Sequence, residues 1–248
     1  MRSDMIRVAE QRTTTDKDCP RRKQVSQELI AALSRIDSPT VSNAIEFFKV
    51  RDPTTGYASM ELHCQYPQLK PMVGYAVTCT VDSTTPLPKG VNVQQELFEA
   101  IQAAPKPAVV VLQDVGPQRL RSCHAGDVLS TIFQNLGAVG LVTDGGVRDI
   151  TGIAERAPGF QVFSSGIVVS HGVPRFIEIG VTVNICGMAV QPGDLLHGDA
   201  NGLLVIPSEI ADQIATQAQK VWDRESKIVN YAKSAEFTLE GFKELVAH

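Results

Sequence analysis

The chain has 248 residues, a formal net charge of −4 and a hydrophobic content of 43%. That content is typical of a globular protein, and the length is enough for a buried core in one large or two small domains. The mild acidity argues against a nucleic-acid-binding protein, which usually carries a basic stripe. It permits an anionic substrate, because local charge can oppose net charge.

The N-terminal residues 1–24 are polar and mixed in charge, and we expect them to form a flexible arm without the apolar core of a secretory signal. No run in the chain approaches the ~18 apolar residues of a membrane span. The five cysteines include no Cys-x-x-Cys pair, and the histidines lack zinc-site spacing. These features predict a cytoplasmic protein that binds neither membranes nor nucleic acid.

Residues 25–248 are expected to form one α/β domain. VSQELIAALSRI has helical spacing, and a second helix should follow with Ser38 as N-cap and Pro39 at its first position. Residues 49–71 look like a long loop or lid. The period of two in VGYAVTCTV predicts a strand with one buried face. NVQQELFEAIQAA is predicted to be a helix, and the wholly apolar AVVVLQD a strand buried on both faces.

The second half of the domain alternates helices and strands at first and then becomes rich in strands. A helix containing VLSTIFQNL should end at Gly137 in a left-handed cap. The next strand is expected to end at Thr143, where Asp144-Gly145-Gly146 turns the chain, and Asp149 is placed to cap a short helix. Several strands or hairpin pieces follow, and two helices from about residue 208 complete the chain.

One candidate binding feature is the start of the helix that follows Gly126. The first amides of a helix have no partners within it and lie at the positive end of its dipole. Because glycine has no Cβ, a ligand can approach closely, and the amides of Val128 and Leu129 could bind a carboxylate. The alternative is that Asp127 simply caps its own helix.

A second candidate is the pair Arg148-Asp149, expected at the rim of the sheet. Arginine offers a planar fork of donors to a carboxylate or to keto-acid oxygens. Asp149 offers oxygen to a hard cation, and Mg²⁺ is often held by only one or two carboxylates together with water and substrate. The alternative is a surface ion pair worth ~0–1 kcal/mol.

Taken together, these segments resemble the RraA-like family, which includes 4-hydroxy-4-methyl-2-oxoglutarate aldolases and the regulator of ribonuclease activity A. The resemblance rests on Gly126-Asp127-Val128-Leu129, the glycine spacing from Gly137 to Gly145, and Arg148-Asp149. PTVSNA, VGYAVTC and PGDLLHGDANGLLVIP support it, over roughly residues 25–210. It implies a single β/β/α swivelling-domain-like fold with flanking N- and C-terminal helices, assembled as homotrimers or homohexamers.

The resemblance also implies roles for individual residues. Asp149 would be the metal ligand for Mg²⁺ or Mn²⁺, and Arg148 would bind the pyruvyl oxygens of a small 2-oxo acid. Backbone amides of 126–129 would hold the substrate carboxylate, and Asp127 would both contact substrate and orient a water molecule on the metal. Glu225, from a neighbouring subunit, is the candidate for an additional acidic residue, although a solvent-exposed helix charge is the simpler interpretation.

These roles predict a metal-dependent lyase that cleaves a 4-hydroxy-2-oxo acid to pyruvate by retro-aldol chemistry, with oxaloacetate decarboxylation as a companion activity. The rival hypothesis is a non-catalytic regulator that binds a ribonuclease or another protein, because a shared fold does not fix function. A third is a lyase or hydrolase for a different hydroxy acid. His124, near the proposed site, is interpreted as a loop histidine, and contact with substrate is the alternative.

Overall fold

The computed structural model describes residues 24–86 and 90–247, so the predicted N-terminal arm lies outside the described residues except for residue 24. The helices are α1 (Gln27–Leu33), α2 (Ser38–Glu46), α3 (Gln94–Ala103), α4 (Asp127–Asn135), α5 (Ile150–Arg156), α6 (Ile214–Lys233) and α7 (Leu239–Val246). The first strands are β1 (His63–Cys64), β2 (Met72–Asp82), β3 (Ala108–Asp114), β4 (Cys123–Ala125), β5 (Ala138–Val147) and β6 (Gln161–Ile167). The later strands are β7 (Arg175–Ile179), β8 (Val183–Ile185), β9 (Met188–Val190), β10 (Leu195–Asp199) and β11 (Gly202–Ile206).

Most strands join one mixed sheet. Its order is β1-β6-β5-β3-β2-β10-β11, with β4 beside β5 and β7 beside β2, while β8 and β9 form a separate hairpin. The pairs β2–β3, β3–β5 and β5–β6 are parallel. The carboxyl ends of these strands therefore lie along one edge of the sheet, which is where ligands usually bind in α/β folds.

The sheet is covered on both faces by apolar side chains. A central cluster joins α3, α4 and α5 to the sheet through fully buried residues that include Leu97, Phe133 and Ile153. A second cluster joins α1, α2 and α6 to β2, β10 and β11. Each large buried side chain contributes about 1.5–3 kcal/mol, so α4 and α5 are firmly fixed on the sheet. Within the described ranges, no helix is both long and apolar enough to cross a membrane.

A buried polar cluster of Ser38, His197 and Asp199 joins α2 to β10. The Ser38 hydroxyl lies 3.0 Å from Nδ1 of His197, and the Ser38 amide donates to Asp199 Oδ2 at 2.8 Å. His197 Nε2 lies 3.1 Å from the Leu33 carbonyl oxygen. A neutral ring that donates from Nε2 and accepts at Nδ1 satisfies every group, so this His197 cluster fixes the N-terminal helices to the sheet.

Periodicity located most elements correctly, including β3 and α3. The predicted end of α4 is also confirmed, because Gly137 follows the helix with φ +92°. Residues 49–71 consist mostly of turns, as expected, but contain β1 and are tied to the body by bonds such as Gln65 N to Val162 O at 2.8 Å.

The predicted start of α2 was shifted by one residue. Asp37, not Ser38, is the N-cap, because its carboxylate accepts a bond from the Thr40 amide at 2.9 Å. Ser38 is the first helical residue, and Pro39 follows it. The prediction that β2 buries only one face was also wrong, since all its residues are buried. Sheet neighbours, the helices and the β8–β9 hairpin cover both of its sides.

The predicted turn at Asp144-Gly145-Gly146 was wrong. Strand β5 runs through these residues to Val147, with a register irregularity against β6 between Thr143 and Gly146. The glycines serve close packing: a Cβ on Gly145 would lie 2.6 Å from both His124 Cε1 and Ser122 Oγ, and one on Gly146 2.6 Å from the Ser122 carbonyl oxygen. The chain leaves the sheet only at Arg148.

Candidate functional site

Helix α4 begins beside the end of β5, so the two predicted features meet. Gly126 is its N-cap, and no side-chain bond caps the helix there. A Cβ on Gly126 would lie 2.6 Å from Asp149 Oδ2 and 3.2 Å from Arg148 Cγ. A side chain at position 126 would therefore displace the Arg148 and Asp149 side chains, and the backbone of the α4 N-terminus lies directly beside this pair.

Arg148 and Asp149 are half-exposed and paired with each other. Arg148 Nε lies 3.2 Å from Asp149 Oδ2, and their side chains are 35% and 38% exposed. The contact uses only Nε of a group with five N–H donors. The ion pair of the simpler interpretation thus exists in the structure, and it leaves the remaining donors of the arginine fork chemically available for a substrate oxygen.

Asp149 holds an unusual backbone conformation at the start of α5. Its φ is +57°, in the left-handed region that few non-glycine residues adopt, and its side chain makes no capping bond to the helix. Such strained conformations tend to persist at functional sites, where the surrounding structure enforces them. The conformation directs the Asp149 carboxylate towards Gly126 rather than towards its own helix.

Asp127 bonds to its own helix and to α5, and its role towards substrate and metal-bound water stays a prediction. Its Oδ1 accepts a bond from the Val128 amide at 2.8 Å, and its Oδ2 forms an ion pair with Arg156 Nη1. The Val128 amide is therefore already bonded, and a substrate carboxylate would have to compete with Asp127 for it. Arg156 was not identified from sequence, because nothing in the sequence marks a partner 29 residues away.

A buried network supports the strand that delivers Arg148. His124 Nε2 lies 2.8 Å from Asp114 Oδ2, and His124 Nδ1 lies 2.6 Å from Thr143 Oγ1, which also accepts the Gly145 amide at 3.0 Å. His124 is on β4 and only 1% exposed, so the interpretation as a loop histidine was wrong. Burial also raises the pKa of neighbouring Asp144, whose Oδ1 accepts the Asp114 amide.

Tyr66 connects the 49–71 segment to the site. Its hydroxyl donates to the carbonyl of Ile150, the first residue of α5, at 2.7 Å, and burial raises the pKa of Tyr66 to about 12. This bond fixes the segment next to Asp149 and favours a supporting role over that of an opening lid. The sequence signal was weak, since Tyr66 stands alone between polar residues and proline.

Cys123 and Glu225 take no part in this group of contacts. Burial raises the pKa of Cys123, next to His124, to about 11, which favours the neutral thiol. Glu225, on α6, accepts a bond from Asn43 Nδ2 at 3.3 Å and lines a cavity of about 450 Å³ between α2 and α6. The role of Glu225 towards a neighbouring subunit stays a prediction.

The Asp149 carboxylate offers oxygen ligands, which suit a magnesium-type cation better than zinc. In the described part of the chain, no group of three or more His, Cys, Asp or Glu side chains could hold a metal ion. Mg²⁺ and Mn²⁺ accept oxygen ligands and are often bound by a single carboxylate with water and substrate. Asp149, partly exposed and not engaged in capping, fits that mode of binding.

Comparison with known proteins shows the family of this chain. The family model RraA-like (Aldolase/RraA) matches residues 38–205, which include Gly126, Asp127, Arg148 and Asp149. The chain belongs to the RraA-like family. It is 36% identical over 120 residues to an uncharacterised protein of Methanocaldococcus jannaschii, covering 48% of this chain and 57% of that one.

A second relative carries a functional name. The chain is 35% identical over 97 residues to a Halalkalibacterium halodurans protein named "Putative 4-hydroxy-4-methyl-2-oxoglutarate aldolase", covering 39% of this chain and 45% of the relative. The chain thus spans only about half the length of these two curated relatives. The shared segments support the family, whereas the activity of the whole protein is a matter for proposal.

Solved structures confirm the expected α/β RraA-like fold with flanking helices. An uncharacterised protein from Pseudomonas syringae superposes with a TM-score of 0.68 at 23% identity, covering 90% of this chain and 95% of its own. Streptomyces coelicolor RraAS2, described as an unusual member of the RNase ES inhibitor RraA family, gives a TM-score of 0.61 at 22% identity, with 82% and 96% coverage. At these identities the likeness establishes the fold alone.

Proposed function

We propose that this RraA-like protein is a divalent-metal-dependent lyase that cleaves 4-hydroxy-2-oxo acids to pyruvate and also decarboxylates oxaloacetate. The observation that carries the proposal is the contact between Gly126 and the Arg148-Asp149 pair. It brings together three elements that such a reaction needs: a helix N-terminus for a carboxylate, an arginine for developing negative charge, and a carboxylate for a cation.

The proposed substrate position follows from these three elements. The C1 carboxylate lies at the start of α4, where the helix dipole favours negative charge. It is near the amide of Leu129 and replaces Asp127 Oδ1 as the acceptor of the Val128 amide. The C2 oxygen faces the Arg148 guanidinium. Asp149 holds the cation, which when bound supplies Lewis-acid stabilisation of the charge at C2.

The proposed cleavage needs no oxidant or reductant, because every bond, proton and electron pair is accounted for within the substrate and a base. In retro-aldol cleavage the C3–C4 bond breaks, the proton of the C4 hydroxyl passes to a base, and C4 becomes a carbonyl carbon. The electrons of the broken bond form the enolate of pyruvate, which takes a proton at C3. Loss of CO₂ from oxaloacetate gives the same enolate, so Arg148 stabilises the same developing charge in both reactions.

The chain's own residues fix the geometry for this chemistry. The Asp114–His124–Thr143 network holds the end of β5, and Tyr66 holds the first residue of α5. Arg148 and Asp149 lie between these two supports. Such restraint matters because reacting groups must be held within a fraction of an ångström of the productive geometry.

A protein-binding regulator is the competing function, and one observation favours it. Leu120 and Val169 are 83% and 96% exposed and line one surface pocket, and neighbouring exposed apolar side chains suit a protein partner. The name of the Streptomyces relative, an RNase ES inhibitor family member, points the same way. The Arg148-Asp149 site itself gives a regulator no evident advantage, so we place the lyase first.

The test is a screen of 4-hydroxy-2-oxo acids and oxaloacetate with Mg²⁺ or Mn²⁺, with pyruvate as the measured product. We expect metal-dependent pyruvate release that stops on addition of a chelator and returns with the cation. The absence of turnover across the screen, together with tight capture of a ribonuclease, would establish the regulator instead.

A further inference from the structure

Asp127 is held by two bonds that share its carboxylate. Oδ1 accepts from the Val128 amide, and Oδ2 pairs with Arg156 Nη1. The Asp127 side chain is 14% exposed, whereas the Arg156 side chain is 65% exposed. The arginine therefore extends from solvent over a mostly buried carboxylate, and it is the positive charge that pairs with Asp127.

The contact also joins the two helices that form the site. A Cβ on Gly152 would lie 3.1 Å from Asp127 Oδ2 and 3.2 Å from Asp127 Cβ, so the carboxylate lies flat against α5. Gly152 and Arg156 are four residues apart and share one face of that helix. Asp149 is the N-cap of the same helix, so this contact ties the first residue of α4 to the helix that follows the proposed cation ligand.

The charges around Gly126 form two pairs. Arg148 pairs with Asp149 on one side, and Arg156 pairs with Asp127 on the other. Gly126 lies against Arg148 and immediately precedes Asp127. Without Arg156, the Asp127 carboxylate would keep only the bond from the Val128 amide.

We infer that Arg156 is a positioning residue for the lyase reaction, an inference that rests on the proposed function. Arg156 holds the Asp127 carboxylate against Gly152 and thereby fixes the first residue of α4 to α5. The N-terminus of α4 and the Arg148-Asp149 pair keep their relative positions for the substrate as a result. Arg156 itself acts through Asp127 and does not touch the reacting atoms.

The test is a double-substitution cycle with Arg156→Gln and Asp127→Asn, assayed on oxaloacetate with saturating cation. We expect Arg156→Gln to lower kcat about tenfold or more, with KM nearly unchanged, as for other residues that orient the groups of a site. Arg156→Lys should restore most of kcat, because it keeps the charge. In the Asp127→Asn background, Arg156→Gln should cost less than about twofold, since its target is gone.

A second readout does not depend on activity. The wild type, Arg156→Gln, Asp127→Asn and the double variant are unfolded in urea without cation. The Arg156–Asp127 pair should show a coupling of up to about fivefold in the unfolding equilibrium constant. Arg35→Gln, which removes an exposed arginine after α1, is the matched control and should leave both readouts unchanged.

The outcomes separate this inference from the proposed function. An active wild type with an equally active Arg156→Gln variant overturns the role of Arg156 and leaves the lyase intact. An equal loss in the wild-type and Asp127→Asn backgrounds also overturns it, because Arg156 would then act independently of Asp127. A wild type without pyruvate release removes the lyase, and the role of Arg156 in it falls as well.

Discussion

Two polar clusters of this protein join residues far apart in sequence, but they differ in how fully their bonds are satisfied. In the His197 cluster, Ser38 and Asp199 complete the hydrogen bonds of groups that are at most 6% exposed. At the site, Arg148 and Asp149 are more than one-third exposed and share a single 3.2 Å contact. Buried and satisfied polar groups hold a fold together, whereas half-exposed charges beside a helix N-terminus are suited to a ligand.

The comparison predicts that substitutions at the site damage turnover and leave stability nearly intact. Arg148→Ala should raise the barrier to pyruvate formation by ~3–4 kcal/mol, the scale of a lost donor to a developing oxyanion. Its effect on the free energy of unfolding should stay within about 1 kcal/mol, because the pair is half-exposed. Steady-state kinetics and urea unfolding of one preparation measure both.

Arg148→Lys sharpens the same test. Lysine keeps the positive charge but loses the planar fork, so we expect activity between those of the wild type and the alanine variant. If Arg148→Ala lowers the free energy of unfolding by as much as it raises the barrier to pyruvate formation, Arg148 belongs with the residues that maintain the fold.

The opposite pattern is expected for the buried network behind the site. His124→Ala removes the partner of Asp114 Oδ2 and Thr143 Oγ1, and leaving such buried groups unpaired should cost about 3 kcal/mol of unfolding free energy. Activity should fall less than stability, because His124 affects Arg148 only through the position of the end of β5. His171→Ala, at an exposed position, is the control, with an expected change within about 0.5 kcal/mol.

The His197 cluster should make stability depend on pH. Burial lowers the pKa of His197, although Asp199 and Asp37 favour its charged form. The unfolded histidine therefore binds a proton at a higher pH than the folded one, so stability is greatest above about pH 6.5 and falls as the pH decreases. The slope should reach at most about 1.4 kcal/mol per pH unit.

A matched pair of variants isolates this effect. Between about pH 6.5 and 5, the unfolding free energy of His197→Gln should decrease less steeply with falling pH than that of the wild type. His63→Gln, at an exposed position, should show the same decrease as the wild type. Equal slopes in the two variants would show that His197 is not the group responsible.

The sequence predicted the elements with strong periodicity and the segments that form the site, for reasons visible in particular residues. AVVVLQD could only be a buried strand, and Gly126 and Gly137 marked both ends of α4. The extension of β5 through Gly145 and Gly146 was missed, because those glycines are needed for packing against His124 and Ser122, which periodicity does not encode. The contacts of Asp127 with Arg156, and of Tyr66 with Ile150, depend on how α5 packs, so local pattern could not reveal them.

The central claim is that Asp149 holds the cation of a lyase, and the most direct measurement is cation-dependent pyruvate release by Asp149→Ala beside Asp223→Asn. Asp223 is an exposed aspartate on α6 and serves as the control. We predict that Asp149→Ala remains folded, loses cation binding measured by calorimetry, and releases no pyruvate, while the control keeps both properties. Full cation-dependent activity in Asp149→Ala would contradict this account.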